Sequence, residues 1–180
     1  MNRFKFRLAC FLGLIIILPV LVVFVNTAEC EGILDMNPLE ETFDDKEIKF
    51  DISLEKEKYQ EDEPIKINCK FTNLREDTLN LLPTLHVNTI IFISRDSKNF
   101  GPLGVHLLIK EVIEKESMIT SKPGEVYKFQ KYIMKEMHTM PKPGKYQLLM
   151  IYFNFDDEFY GIEPWHGRLR SNIVEFEVEH

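Results

Sequence analysis

From residue 46 onward the chain alternates apolar and polar positions. Ile48, Phe50, Ile52 and Leu54 interleave with Glu47, Lys49, Asp51 and Ser53. A period of two marks a half-buried strand. After the polar turn Gln60-Glu61-Asp62-Glu63-Pro64, a second strand sets Ile65, Ile67, Cys69 and Phe71 against Lys66, Asn68, Lys70 and Thr72. Proline is tolerated at a strand's first position, as at Pro64. Leu79, Leu81 and Leu82 form a short segment that Pro83 stops. Residues 88–95 are apolar on both parities, which suits a strand covered on both sides. Val105, Leu107 and Ile109 give another alternation. Beyond the turn Ser121-Lys122-Pro123-Gly124-Glu125, one face carries Tyr127, Phe129, Lys131 and Ile133. Residues 135–140 have room for a short helical turn. Pro141-Lys142-Pro143-Gly144 then leads into residues 145–153, and Val174, Phe176 and Val178 end the series. Seven to nine short strands, with turns at regular spacing and no sustained 3.6-residue period, predict an all-β antiparallel sandwich. Its span, residues 46–180, is enough to enclose one core.

The first thirty residues read differently. Residues 8–25 hold eighteen positions without a charge, preceded by Arg3, Lys5 and Arg7 and followed by Glu29 and Glu31. That asymmetry predicts a cytoplasmic N-terminus with the remainder across the membrane. Two fates stay open. A secretory signal has an apolar run of about 7–15 residues and small residues at its cleavage site; a spanning helix needs about 20. Ala28-Glu29-Cys30 fits a cleavage site loosely, and Pro19 weakens the second half of a helix. A lipoprotein signal fits less well, because Glu29 stands directly before Cys30. Residues 1–30 are thus a signal peptide or a signal anchor. Residues 31–45 form an acidic linker without periodicity, and unbroken charge of this kind stays solvated.

Charge narrows the partners. The chain has 22 basic and 29 acidic residues, a net charge of −7. Since Arg3, Lys5 and Arg7 belong to the leader, the body is more acidic still. Nucleic acid is excluded as a partner, because phosphate binding needs a basic footprint. Membrane contact is expected only through residues 8–25, if they are retained. A protein or a cell-envelope component is the expected partner.

The chain's chemistry is sparse. His86, His106, His138, His166 and His180 never pair at ligand spacing, so no metal is expected. No G-x-S-x-G, phosphate-binding loop or dinucleotide fingerprint occurs, and neither catalytic residues nor a cofactor are expected. The most unusual segment is Phe153-Asn154-Phe155-Asp156-Asp157-Glu158-Phe159-Tyr160, followed by Trp165. Acids among aromatics suit contact with a sugar or a protein. Asp156, Asp157, Tyr160 and Trp165 are therefore the candidate contact residues. Strand 145–153 is apolar on both faces, which fits either a central strand under a long loop or a partner surface.

The ordered set Tyr59, Glu63-Pro64-Ile65-Lys66-Ile67, Phe71-Thr72-Asn73, Lys122-Pro123-Gly124-Glu125, Pro143-Gly144-Lys145-Tyr146 and Trp165-His166-Gly167-Arg168-Leu169-Arg170-Ser171-Asn172-Ile173-Val174-Glu175-Phe176 resembles bacterial extracytoplasmic domains of immunoglobulin-like type. The resemblance covers residues 47–180 and implies a sandwich without an active site. Within it, Tyr146 resembles a tyrosine corner. Leu148 stands where antibody-type domains carry a cysteine, so the inter-sheet disulfide is missing and Cys69 reads as a small buried hydrophobe. A Cys30–Cys69 bridge is a minor alternative. A strand-rich body with no chemical motif predicts a non-catalytic exported or membrane-tethered binding or structural module of the cell envelope. The alternatives are an extracellular protease inhibitor, using long loops at 95–104 and 154–171, or a carbohydrate-binding domain using residues 153–165.

Overall fold

Strict alternation in β3 (Ile65–Asn73) turns Ile65, Ile67, Cys69 and Phe71 inward. The same parity in β1 (Ile48–Leu54) buries Ile48, Phe50 and Ile52. The computed structural model describes residues 38–40, 43, 46–82, 88–103, 118–136, 138–154 and 161–180. Strands β1, β3 and β8 (Val126–Ile133) form one antiparallel sheet in the order β1-β3-β8. The second sheet runs β2-β11-β9-β5-β6, built from Lys58–Gln60, Val174–Glu179, Gly144–Asn154, Thr89–Ser94 and Gly101–Pro102. There β10 (Gly167–Arg170) pairs with the far end of β9. A separate pair joins β4 (Leu79–Leu81) to β7 (Ile119–Ser121).

The described residues are thus all-β, with eleven strands rather than seven to nine. The additional strands, β2, β6 and β7, are two or three residues long. Ladders this short have no room to display a period. The run before the C-terminus also divides, because Ser171–Ile173 leave the ladder between β10 and β11. One pairing departs from the antiparallel expectation: β2 lies parallel to β11. The chain crosses from the first sheet to the second at residues 55–57 and returns before β3, so β2 forms no hairpin with its sequence neighbours. The expected helical turn after residue 135 is a single turn, with the His138 N–H donating to the Met134 carbonyl at 2.8 Å. The expected strand at 105–110, the apolar run 8–25 and Cys30 lie outside the described residues. Among the described residues no helix is long and apolar enough to cross a membrane.

Both sheets face one core. A line of aromatic rings crosses it, from Phe50 and Phe129 through Phe71 to Tyr152 and Trp165. The Phe71–Tyr152 ring centroids are 5.0 Å apart and the Tyr152–Trp165 centroids 6.0 Å. Leu148 is fully buried in this core. Cys69 is a buried, unbridged thiol with its Sγ 3.8 Å from the Met150 Sδ. The outer face of β9 is also covered. Leu149, Ile151 and Phe153 are buried with Phe92 and Phe100, and Phe43 and Ile90 pack against them. Phe43 and Pro38 come from the segment that reads as linker. Arg170 lies over the Phe43 ring and donates to the Pro38 carbonyl at 2.7 Å.

One side chain ties the sheets together. β1 is an edge strand of its sheet, with its outward backbone groups unpaired by β3. Asn172, in the break between β10 and β11, accepts from the Ile52 N–H at 2.7 Å and donates to the Ile52 carbonyl at 3.0 Å. Its amide thereby supplies the donor and acceptor that a neighbouring strand would offer. Ser171 supports it, as the Met150 N–H donates to the Ser171 hydroxyl at 2.9 Å and the Ser171 N–H to the Met150 carbonyl at 2.9 Å.

Replacing Asn172→Ala removes both bonds and strands the Ile52 backbone groups. A loss of about 1–3 kcal/mol is expected, read as a lower urea midpoint at constant m-value. Burial pushes the Cys69 thiol up to about 12, against a smaller opposing effect of Lys131. Cys69 in the native protein should therefore resist iodoacetamide near pH 8 and label after denaturation, read on the Cys69 peptide by mass spectrometry. A raised thiol pKa also means stability falls as pH rises from the unfolded value of about 9 towards 12.

Candidate functional site

Trp165 is placed by three backbone and side-chain bonds. Its N–H donates to the Asn80 carbonyl at 2.7 Å, its carbonyl accepts from the Asn154 Nδ2 at 2.6 Å, and its indole N–H donates to the Glu47 carboxylate at 3.2 Å. Its ring is 6% exposed and stacks on Tyr152. The indole therefore closes the end of the core. Asp156, Asp157 and Tyr160, the other residues singled out by sequence, lie outside the described residues, as do His86 and His106. His138 is buried and His166 exposed, at different places in the fold. Among the described residues, no three His, Cys, Asp or Glu side chains come together as a metal site would require.

Two shallow grooves, each of about 660 Å³, remain. The first crosses the outer face of the larger sheet near Arg95, Lys58, Lys145, Glu57, Glu175 and Glu177. Its two lysines, Lys58 and Lys145, both stand opposite Glu177 across the ladders. Lys58 reaches Glu179 at 2.5 Å and Glu177 at 3.5 Å. The hydrogen bond to Glu179 and the nearby charge of Glu177 raise its pKa. Gln147 donates to Glu175 at 2.8 Å. Arg95 donates to the Tyr146 hydroxyl at 2.9 Å through Nε and lies over that ring, while the hydroxyl donates to the Lys142 carbonyl at 2.6 Å. Asp96 fixes the adjoining turn. The Asn99 and Lys98 N–H groups bond its carboxylate and hold it far below the usual carboxylate range.

The second groove differs. It crosses the outer face of the β1-β3-β8 sheet, floored by the backbone of Ile52, Cys69 and Phe129. Strand alternation sends the polar parity of each strand outward here, and the register arranges those residues in rows. Lys49, Thr72 and Val126 form one row, and Asp51, Lys70 and Lys128 the next. Ser53, Asn68 and Gln130 follow, with Lys66 opposite Tyr132 last. The strand positions of this face hold four lysines against one aspartate. Lys70 stands directly opposite Lys128. Like charges facing each other across a ladder destabilise it. Asp51 offsets this only in part, at 2.9 Å from Lys49 and 3.9 Å from Lys70. Lys66 reaches Glu55 at 3.6 Å. Lys128 has no ion-pair partner among the described residues. The neighbouring row is a hydrogen-bonded chain, in which the Tyr132 hydroxyl donates to Gln130 at 3.2 Å and Gln130 to Asn68 at 3.2 Å.

A rigid face of this kind has cations, amides and hydroxyls that point out together. It can bind an anionic surface, and sequence reasoning missed it. The outward parity of β3 was readable, but nothing in the sequence placed Lys70 beside Lys128, which is 58 positions further along.

No protein family matches the chain, and no curated protein matches it. Solved structures similar to it include a β-glucosidase, EmGH1, from Erythrobacter marinus, at 8% identity and a TM-score of 0.40, over 73% of this chain and 15% of that one. Spo0M, a sporulation control protein from Bacillus subtilis, is similar at 14% identity and a TM-score of 0.40, over 74% of this chain and 49% of that one. The CARDB domain of the PF1109 protein from Pyrococcus furiosus, in complex with di-metal ions, is similar at 11% identity and a TM-score of 0.37, over 77% of this chain and 97% of that one. The chain spans less than a third of the length of the first of these similar structures. At such TM-scores none of them bears on what the chain does.

Replacing Lys128→Gln should relieve the opposition to Lys70. The urea midpoint is expected to rise at low ionic strength, and the gain to fade by about 0.5 M salt, where exposed charges are screened.

Proposed function

We propose that this chain is a non-catalytic binding module, an immunoglobulin-like β-sandwich that is exported or held at the membrane by residues 8–25. It docks a component of the cell envelope on the outer face of its β1-β3-β8 sheet. The immunoglobulin-like reading is supported by two sheets around one core. It is supported too by Tyr146, whose hydroxyl reaches back four residues to the Lys142 carbonyl as a tyrosine corner does. Export is supported by the uncharged run with basic residues before it and acidic residues after it.

The observation that carries the binding reading is the Lys70–Lys128 opposition at the centre of a groove. A folded domain gains nothing from facing two lysines across a ladder, whereas an anionic partner on that face would neutralise both. The groove beside Arg95 lacks this property, since there Lys58 and Lys145 each stand opposite Glu177 in register.

Two measurements test the reading. Protease added to intact cells or spheroplasts should cut the body while a cytoplasmic marker survives; a body protected until lysis would overturn export. Purified full-length protein in detergent should bind a membrane-free wall fraction. The K70E/K128E double variant should lose that binding, and Lys145→Glu in the other groove should keep it.

A further inference from the structure

We infer that the partner of the β1-β3-β8 face is an acidic polysaccharide. This inference rests on the docking-face reading above and names the chemistry of what docks.

Four rows of outward side chains extend about 20 Å along the strands, at roughly 6.8 Å between rows and 4.8 Å between strands. Lysines stand at both ends of this carpet, Lys49 in the first row and Lys66 in the last, with one pair, Lys70 and Lys128, in the second. Cations distributed along a line match a polymer that carries repeated negative charge, rather than a single small anion. The spaces between them hold Ser53, Asn68, Gln130 and the Tyr132 hydroxyl. Amides and hydroxyls both donate and accept, which is what sugar hydroxyls require. The Asn68–Gln130–Tyr132 chain spends only part of that capacity.

Other anionic partners fit less well. A bilayer calls for an apolar group to insert or a large basic excess. The exposed apolar side chains of this face are Val126 and Tyr132, six residues apart on one edge strand, and Asp51 and Glu55 reduce the basic excess. Nucleic acid fits less well because the face carries no run of aromatic rings on which bases could stack. Charge complementarity within an otherwise acidic molecule also sets orientation. A polyanion is repelled from most of the surface and finds this sheet by steering.

The test is a titration of full-length protein in nonionic detergent with polygalacturonate and with dextran sulfate. Neutral dextran and phosphatidylglycerol/phosphatidylcholine vesicles serve as comparators. Both acidic polymers should bind and neutral dextran should not. K70E/K128E should weaken binding by about tenfold or more, and should lower the slope of log affinity against log salt by about two, one for each cation lost. N68A/Q130A should weaken polymer binding while leaving the salt slope unchanged, which a purely ionic film would not produce. Urea midpoints of each variant near that of the parent confirm that the face is still folded. Binding to anionic vesicles without binding to either polymer would overturn the inference in favour of a membrane, and polymer binding indifferent to K70E/K128E would overturn it outright. If neither polymer binds while the wall fraction still binds through Lys70 and Lys128, the polysaccharide falls and the docking face stands. If wall binding ignores those lysines, the docking face falls as well.

Discussion

β9 is the constraint on which the rest of the structure depends. Eleven residues long, it pairs with β5 along one edge and with β11 and then β10 along the other. Its inward residues Tyr146, Leu148, Met150 and Tyr152 carry the main core, and its outward residues Leu149, Ile151 and Phe153 carry a second one. From Leu148 to Phe153 the strand is buried on both faces, and with partners on both edges its backbone groups and side chains have little freedom. The registers of β5, β10 and β11 follow from it. So does the position of Ser171 and Asn172, which leave the ladder opposite Met150 and reach β1.

Once β9 is set, the smaller sheet is held by two kinds of contact. Apolar packing supplies the adhesion, with Phe71 meeting Tyr152 across the core and Phe50 and Phe129 packed on Phe71. The Asn172 amide supplies direction, because hydrogen bonds are angular where burial is not. This division leaves the outer face of β1-β3-β8 without structural duties. Its polar residues are held rigidly by the strands beneath them, and none is needed to hold the sheets together. A surface so arranged can tolerate opposed lysines, whose repulsion is modest in water and is paid for by the core behind them.

The two grooves show how the same residue types reach different ends. Near Arg95 the lysines and glutamates alternate across β2, β11 and β9, so that Lys58 and Lys145 both face Glu177. On the smaller sheet the acidic residues are few and sit on β1, while the lysines are spread over all three strands. The distinction lies in cross-strand register and not in composition, which is acidic for the chain as a whole.

Much of the fold was legible in the sequence. Alternation located β1, β3, β8, β9 and β11, and double-sided apolarity marked β5 and β9 as covered strands. Inward parity made Cys69 a core residue. Those features are local, and side-chain direction follows from backbone geometry at the next residue. The candidate site was not legible. The sequence singled out Trp165 for its composition, yet its indole caps the core through Asn80, Asn154 and Glu47. It showed Lys70 and Lys128 only as polar positions on separate strands. The parallel pairing of β2, the cover that Phe43 gives to β9 and the meeting of Asn172 with Ile52, 120 positions apart, were likewise decided by tertiary structure. Periodicity along a chain determines which face a residue takes. Only the packing of distant strands determines whose neighbour it becomes, and both charge opposition and edge pairing are properties of neighbours.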